Sequence, residues 1–220
     1  MAGVVTAFQG AEGMSQINQK QTERFFDLLL DYSGEPDAAK RESIEQEIWA
    51  EFGVKYSVMV LDMAGFSKLA QRHGVVHYLA MVRRMQVTAQ PVIEQHGGTV
   101  VKFEADDCFA VFPDTRRAIN ASVALNQAYD AVNIVTPELL DIRIACGIDH
   151  GDVLLINDAD YFGNPVNCAC KLGEDLARPG EILVARDAAD KIAVELSFEL
   201  KPVNFSISGL EIEAYSVQYR

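Results

Sequence analysis

Residues 98–112 read Gly98-Thr99-Val100-Val101-Lys102-Phe103-Glu104-Ala105-Asp106-Asp107-Cys108-Phe109-Ala110-Val111-Phe112. Thr99 to Phe103 and Cys108 to Phe112 are short β-branched, aromatic runs, and three of the four residues between them are acids. Two strand-like runs this close together form an antiparallel hairpin, here with an acidic tip. The rest of the chain alternates helical and strand patterns. A hairpin inside that alternation argues against a doubly wound parallel sheet. It points to an α+β sandwich with a mostly antiparallel sheet flanked by helices.

The neighbouring segments extend the pattern. Upstream, Tyr56 to Leu61 is an apolar strand ending at Asp62, and the turn Met63-Ala64-Gly65-Phe66 leads into a helical stretch reaching Gln95. Gly74 is its weak point, and His96-Gly97-Gly98 closes it. Downstream, Arg116 to Ala131 reads as a helix and Ile142 to Ile148 as a strand, with Val153 to Ile156 expected to pair back on it across Gly151. Pro165 to Leu176 is a predicted helix with proline early, where its missing N–H does no harm. Glu181 to Val184 is a strand, Asp187 to Val194 a helix, and Phe198 to Val217 an antiparallel pair around Gly209.

Residues 1–20 show little periodicity and read as a mobile tail, and residues 21–54 as a helical extension ahead of the domain at 55–220. In the extension, Thr22 to Tyr32 and Glu42 to Phe52 form a hairpin of helices about the turn Ser33 to Pro36. Ile44, Ile48 and Phe52 recur at four-residue spacing beside Trp49.

The 220 residues are 49% hydrophobic and 23% charged, the range of an ordinary globular protein. Nineteen basic against 32 acidic side chains leave a net charge of −13, which repels a nucleic-acid polymer. A small anion can still bind where a metal or local cation reverses the field. No apolar run reaches the roughly 18 residues of a membrane span. Met1 to Met14 holds no cationic start followed by an apolar block, as a secretory signal would. The four cysteines, Cys108, Cys146, Cys168 and Cys170, lack the partners of a zinc site and read as reduced, small apolar residues, so the expected compartment is the cytoplasm.

Two acids stand out. Asp62 ends a strand before a glycine turn, and Asp106 lies at the hairpin tip. Carboxylates at neighbouring strand ends can converge on a divalent cation, and turn amides at a helix start suit phosphate oxygens. Each Asp taken singly could equally be a helix or turn cap.

Four segments, in order, resemble the class III nucleotidyl cyclase family: Val58 to Ser67, Gly98 to Asp106, Cys146 to Val153, and Asp160 to Leu172, together covering about residues 55–218. The resemblance implies a ferredoxin-like cyclase homology domain acting as a homodimer with composite sites, on ATP, with two Mg²⁺ or Mn²⁺ ions per site. It makes Asp62 and Asp106 the metal ligands of one subunit, and Lys102 and Asp160 the base-reading pair of the other. Asn167 would orient the ribose and Lys171 contact the phosphate. Phe66 would pack under the nucleotide, and the backbone of Met63, Ala64, Gly65 and Phe66 would hold phosphates. Asp160 can accept from adenine's exocyclic amine and Lys102 can donate to a ring nitrogen, which points to adenine.

The match departs from the family in four places. Lys171 stands where an Arg is usual, Ala105 where a Gly is usual, and Ser208 where many relatives have Lys. Glu104 adds charge beside the metal ligands. Read without the family, Lys102 could guard an edge strand, Asn167 could be a surface polar residue and Asp160 a turn former. A catalytically silent nucleotide-binding or sensor module, or a cyclase for GTP or a pyrimidine, remains open. No sensor segment is recognised, which leaves room for an unidentified regulatory partner.

Overall fold

The computed structural model describes residues 19–65, 72–157, 160–192, 197–207 and 210–220. The tail at 1–18, Phe66 and Ser208 lie outside the described residues. The described chain divides into two compact units. One holds the residues up to Val54 with Leu154–Tyr161, and the other holds Lys55–Val153 with Phe162–Arg220.

The first unit is built on two helices, α1 over residues 19–34 and α2 over Ala38–Phe52. Asp37 caps α2, its carboxylate accepting from the amides of Ala39 (2.8 Å) and Lys40 (3.3 Å), donors that a helix start otherwise leaves unsatisfied. Phe25 and Leu28 of α1 bury against Ile48 and Phe52 of α2 and against Ile156, with Ile44 at the margin. The four-residue spacing is therefore the packed stripe, and Trp49 stays 39% exposed beside it.

The second unit carries most of an eight-stranded sheet. Its strands are β1 (Gly53–Met63), β2 (Thr99–Glu104), β3 (Asp107–Phe112), β4 (Ile144–Ile156), β5 (Asp160–Phe162), β6 (Ile182–Ala185), β7 (Glu199–Ile207) and β8 (Leu210–Gln218). The order is β2-β3-β1-β4-β6-β8-β7, with β5 paired to β4. β1·β3, β2·β3, β6·β8 and β7·β8 are antiparallel, and β4·β6 is parallel. The α+β expectation with a mostly antiparallel sheet holds.

Helices α3 (Val75–Gln95) and α4 (Thr115–Ile134) bury one stripe each. In α3 the stripe is Met81, Met85, Ala89 and Ile93, every fourth residue, packed with Met59, Leu61 and Phe112 of the sheet. Tyr129 of α4 is buried, and its hydroxyl donates to the Met85 carbonyl at 2.8 Å. Truncating Met85 to Ala would cost about 2–5 kcal/mol through lost contacts and a cavity.

Four expectations change. Ile142 to Ile156 is not a hairpin: Ile144–Ile156 is one thirteen-residue strand through Gly151. A methyl at Gly151 would fall 2.8 Å from the Pro165 ring, so this glycine marks a close approach and not a turn. The helix expected over 165–176 is α5 (Asn164–Cys170) followed by a π-helical turn, Lys171–Leu176. The helix expected from Asp187 is a four-residue turn, α6 (Arg186–Ala189). Gly74, with φ +83°, precedes the first residue of α3, so the weak point is a helix boundary.

Candidate active site

The hairpin tip is tighter than the sequence suggested. Glu104 and Asp107 pair in register, so the tip is only Ala105-Asp106. Ala105 takes φ +51°, the left-handed region that favours glycine. On the other side of β3, Asp62 of β1 sits in register with Asp107. The geometry thus gathers Asp62, Asp106 and Asp107 at one end of three adjacent strands. From the π-helical turn, Glu174 adds a fourth carboxylate that acts electrostatically on Asp62 and Asp107.

The crowding shows in their proton affinities. Burial, then repulsion from Asp106 and Glu174, pushes Asp62 up to about 6, while a hydrogen bond from Asp107 eases the shift. Asp107 is pushed up to about 8, by burial first and then by Glu174, Asp62 and Asp106. Burial also raises Asp106. Asp107 Oδ1 is buried and has no hydrogen-bond partner.

A cation would answer this arrangement. All the donors are carboxylate oxygens, which suit a hard ion such as Mg²⁺ or Mn²⁺, and the orphaned oxygen and mutual repulsion show where positive charge is wanted. Among the described residues, no group of three or more His, Cys, Asp or Glu side chains is arranged around one ion. The protein would therefore supply one or two carboxylates, as it commonly does for Mg²⁺, with substrate and water completing the shell.

The other candidate residues fall as follows. Lys102 on β2 is part-buried, its Nζ 3.1 Å from Glu104 Oε2 and 5.2 Å from the centre of the Phe109 ring. Asp160 begins β5, in the unit of the N-terminal helices, and its Oδ1 accepts from the Tyr161 amide at 2.9 Å. Asn167 and Lys171 are exposed and lie four residues apart on α5 and its continuation, the Lys171 amide donating to the Asn167 carbonyl. Met63 is buried, and Gly65 has φ +77° with open space where a side chain would stand. The Ala64 amide donates to the Arg143 carbonyl at 2.8 Å, which commits it to holding the turn.

Two residues at the site were not singled out from the sequence. Asp107 comes into register with Asp62 once the hairpin is closed at two residues. Glu174 lies past the end of α5, in the π-helical turn, where α-helical spacing does not place it. Burial, followed by the charge of Glu174, pushes the Cys170 thiol up to about 12.

Residues 52–218 match the family model of the adenylate and guanylate cyclase catalytic domain. The sheet, the strand-end carboxylates and this match define a class III nucleotidyl cyclase domain, and the chain belongs to the adenylate and guanylate cyclase catalytic domain family. A putative adenylate cyclase 3 of Rhizobium meliloti is 29% identical over 145 residues, 66% of this chain and 23% of that protein. An uncharacterised protein of Mycobacterium tuberculosis is 30% identical over 131 residues, 60% of this chain and 32% of that protein. The chain thus matches about a quarter to a third of the length of these curated relatives.

Among solved structures, the adenylate/guanylate cyclase/hydrolase from Silicibacter pomeroyi aligns with a TM-score of 0.61 at 26% identity, over 76% of this chain and 97% of that one. The adenylyl cyclase CyaB from P. aeruginosa aligns with a TM-score of 0.59 at 19% identity, over 76% and 96%, and shares the fold. Among the described residues no helix is long and apolar enough to cross a membrane.

Proposed function

We propose that the chain is an adenylate cyclase, converting ATP to 3′,5′-cyclic AMP and pyrophosphate at the interface of a homodimer in the cytoplasm. The observation that carries the chemistry is the carboxylate cluster at the ends of β1 and β3, with its buried, unpartnered Asp107 oxygen. Asp62 and Asp106 would hold two divalent ions, Mg²⁺ or Mn²⁺. When bound, such ions supply Lewis acidity and charge neutralisation for an in-line displacement.

The ribose 3′-oxygen forms a bond to the α-phosphorus, its proton leaves to solvent, and the bond from that phosphorus to the bridging oxygen breaks with release of pyrophosphate. Asn167 orients the ribose through its side-chain amide. The Lys171 ammonium donates to an α-phosphate oxygen, as a point charge without the bidentate grip of a guanidinium. Lys102 donates to a ring nitrogen of adenine and Asp160 accepts from its exocyclic amine. The Met63 and Gly65 stretch of the turn, with Phe66, lies against the nucleotide. The adenine choice is supported by the Lys102/Asp160 donor–acceptor pair and by the name of the Rhizobium relative.

The test is mass spectrometry of the products formed from ATP, GTP, CTP and UTP, each with Mn²⁺ and with Mg²⁺. Cyclic AMP as the main product is expected. A different cyclic nucleotide would reject the base assignment and keep the metal site. No product from a folded dimer would favour a silent nucleotide-binding module.

A further inference from the structure

The far edge of the sheet carries a groove that none of the residues assigned to nucleotide or metal lines. β7 ends the strand order and pairs with β8. In that register Lys201 meets Ser216, Val203 meets Ala214 and Phe205 meets Ile212, so Lys201, Val203 and Phe205 stand on one face of the ribbon. Leu176, the last residue of the π-helical turn, and Arg178 beyond it wall the other side. The cavity between them measures about 510 Å³, within the range of small-molecule sites. Its floor is apolar, because Leu176, Val203 and Phe205 are partly buried against the core.

The rim is cationic. Arg178 and Lys201 are exposed, and among the described residues neither the guanidinium nor the ammonium has an ion-pair or hydrogen-bond partner. Composition alone does not predict two unmatched cations on one groove in a chain with 32 acidic against 19 basic side chains. Glu181 also lines the groove, but both its oxygens are engaged: Oε1 accepts from Ser216 Oγ and Oε2 from the Arg178 amide, each at 3.0 Å. Glu199 shares the face of Lys201 without pairing with it. With these two carboxylates close by, the groove suits a monoanion, whereas a polyphosphate would be repelled unless it brought a metal. We propose that the groove is a second ligand site, for a small aromatic carboxylate or sulfonate. The ring lies on Phe205, Val203 and Leu176, and the anionic head is held by the Arg178 fork and the Lys201 ammonium. The proposal goes beyond the cyclase reading and does not rest on it.

The experiment titrates the full chain with anilinonaphthalene sulfonate, an aromatic monoanion that fluoresces in apolar surroundings. Saturable binding is expected, with Arg178→Gln and Lys201→Gln each weakening it at least about threefold. Naphthoate should displace the dye, naphthalenemethanol, which has the same ring and no charge, should not, and ATP with Mn²⁺ should leave it in place. Phe205→Ala should weaken the dye as well. Should that variant not fold, the two charge variants, both at exposed positions, carry the test. Dye binding unchanged in the Arg178→Gln/Lys201→Gln double variant overturns the proposal, as does displacement by naphthalenemethanol as readily as by naphthoate. Displacement by ATP would put the dye in the nucleotide site, and a loss of binding in Phe26→Ser would put it on the exposed face of α1, where Phe26 is half exposed. Either result also overturns it.

Discussion

Asp62 and Asp107 face each other in the register of β1 and β3, and of the two carboxyls Asp107 is pushed further up, to about 8 against about 6. One carboxylate of the facing pair is thereby kept available to a cation, while the other steadies it. The two should respond differently to neutral isosteres. Asp62→Asn is expected to lower kcat at least a hundredfold, because it would remove a ligand of the proposed ions. Asp107→Asn keeps a donor toward Asp62 and should cost less than about tenfold, with a weaker Mn²⁺ half-saturation. Steady-state kinetics across a Mn²⁺ titration checks both, and equal losses would place Asp107 among the ligands.

Ala105 is strained where a glycine would be at ease. With φ +51° its β-carbon crowds the backbone, a conformation that costs an L-residue roughly 1–2 kcal/mol. Glycine pays some of that back through greater freedom in the unfolded chain. Ala105→Gly is therefore expected to stabilise the protein by up to about 1 kcal/mol, a Tm rise of roughly 2–4 °C for a chain of this size. A lowered Tm in a thermal melt would show that the tip does not hold this conformation.

Much of this geometry was legible in the sequence, and the reasons differ by element. The hairpin was readable because β-branched alternation flanks a short acidic tip, and the departure at Ala105 could be located at the strained position itself. The helix packing of α1 on α2 was readable from the spacing of Ile44, Ile48 and Phe52. The long β4 was not, because Gly151 reads as a turn when its purpose is to admit the Pro165 ring. The π-helical turn was not either. Its hydrogen-bond shift has no compositional mark, and Gly173 reads as a close backbone approach only once Gly147 is seen against it, where a methyl would fall 2.9 Å from the Gly147 nitrogen. Glu174 joined the carboxylates through that turn, so it could not be placed before the turn was known.

Ser57, fully buried on β1, holds His150 Nδ1 at 2.9 Å and the Thr115 hydroxyl at 3.1 Å. Burial, then Lys191 and Lys55, lowers the His150 pKa below its usual 6.5, against weaker opposition from Asp152 and Asp114. A depressed imidazole binds fewer protons folded than unfolded, so stability increases with pH through the window just below 6.5 and is lost as pH falls through it. His150→Asn should flatten that part of the profile. Urea midpoints between pH 5 and 7.5 measure it, and a wild-type profile flat below 6.5 would count against the pair.

Lys171 should be improvable. In its proposed role at the α-phosphate, its exposed ammonium would give one directed contact where a guanidinium would give two. Lys171→Arg is expected to raise kcat several-fold at unchanged KM, and Lys171→Ala to lower it by about a hundredfold, the scale of losing a transition-state donor. Single-turnover rates separate this chemistry from product release. An Arg variant slower than the parent would mean that the site is shaped around lysine.

Lys102 and Glu104 stand on one face of β2, two residues apart, with Nζ 3.1 Å from Oε2 and the ammonium above the Phe109 ring. The side chains are 33% and 66% exposed, so solvent screens the pair, and its coupling is expected at about 0.2–1 kcal/mol. On the proposed assignment of Lys102 to the base, Glu104 would act on nucleotide through Lys102, holding the ammonium at one height over the strand. Glu104→Gln should raise the KM for ATP by roughly two- to fivefold at nearly constant kcat, an effect that shrinks at high salt. In a Lys102→Ala background the same substitution should do nothing further, which a double-mutant cycle reads directly. Equal effects in both backgrounds would mean that Glu104 works independently, through the charge it adds beside Asp106. A Lys102→Ala variant with the ATP-to-GTP preference of the parent would remove Lys102 from base recognition altogether.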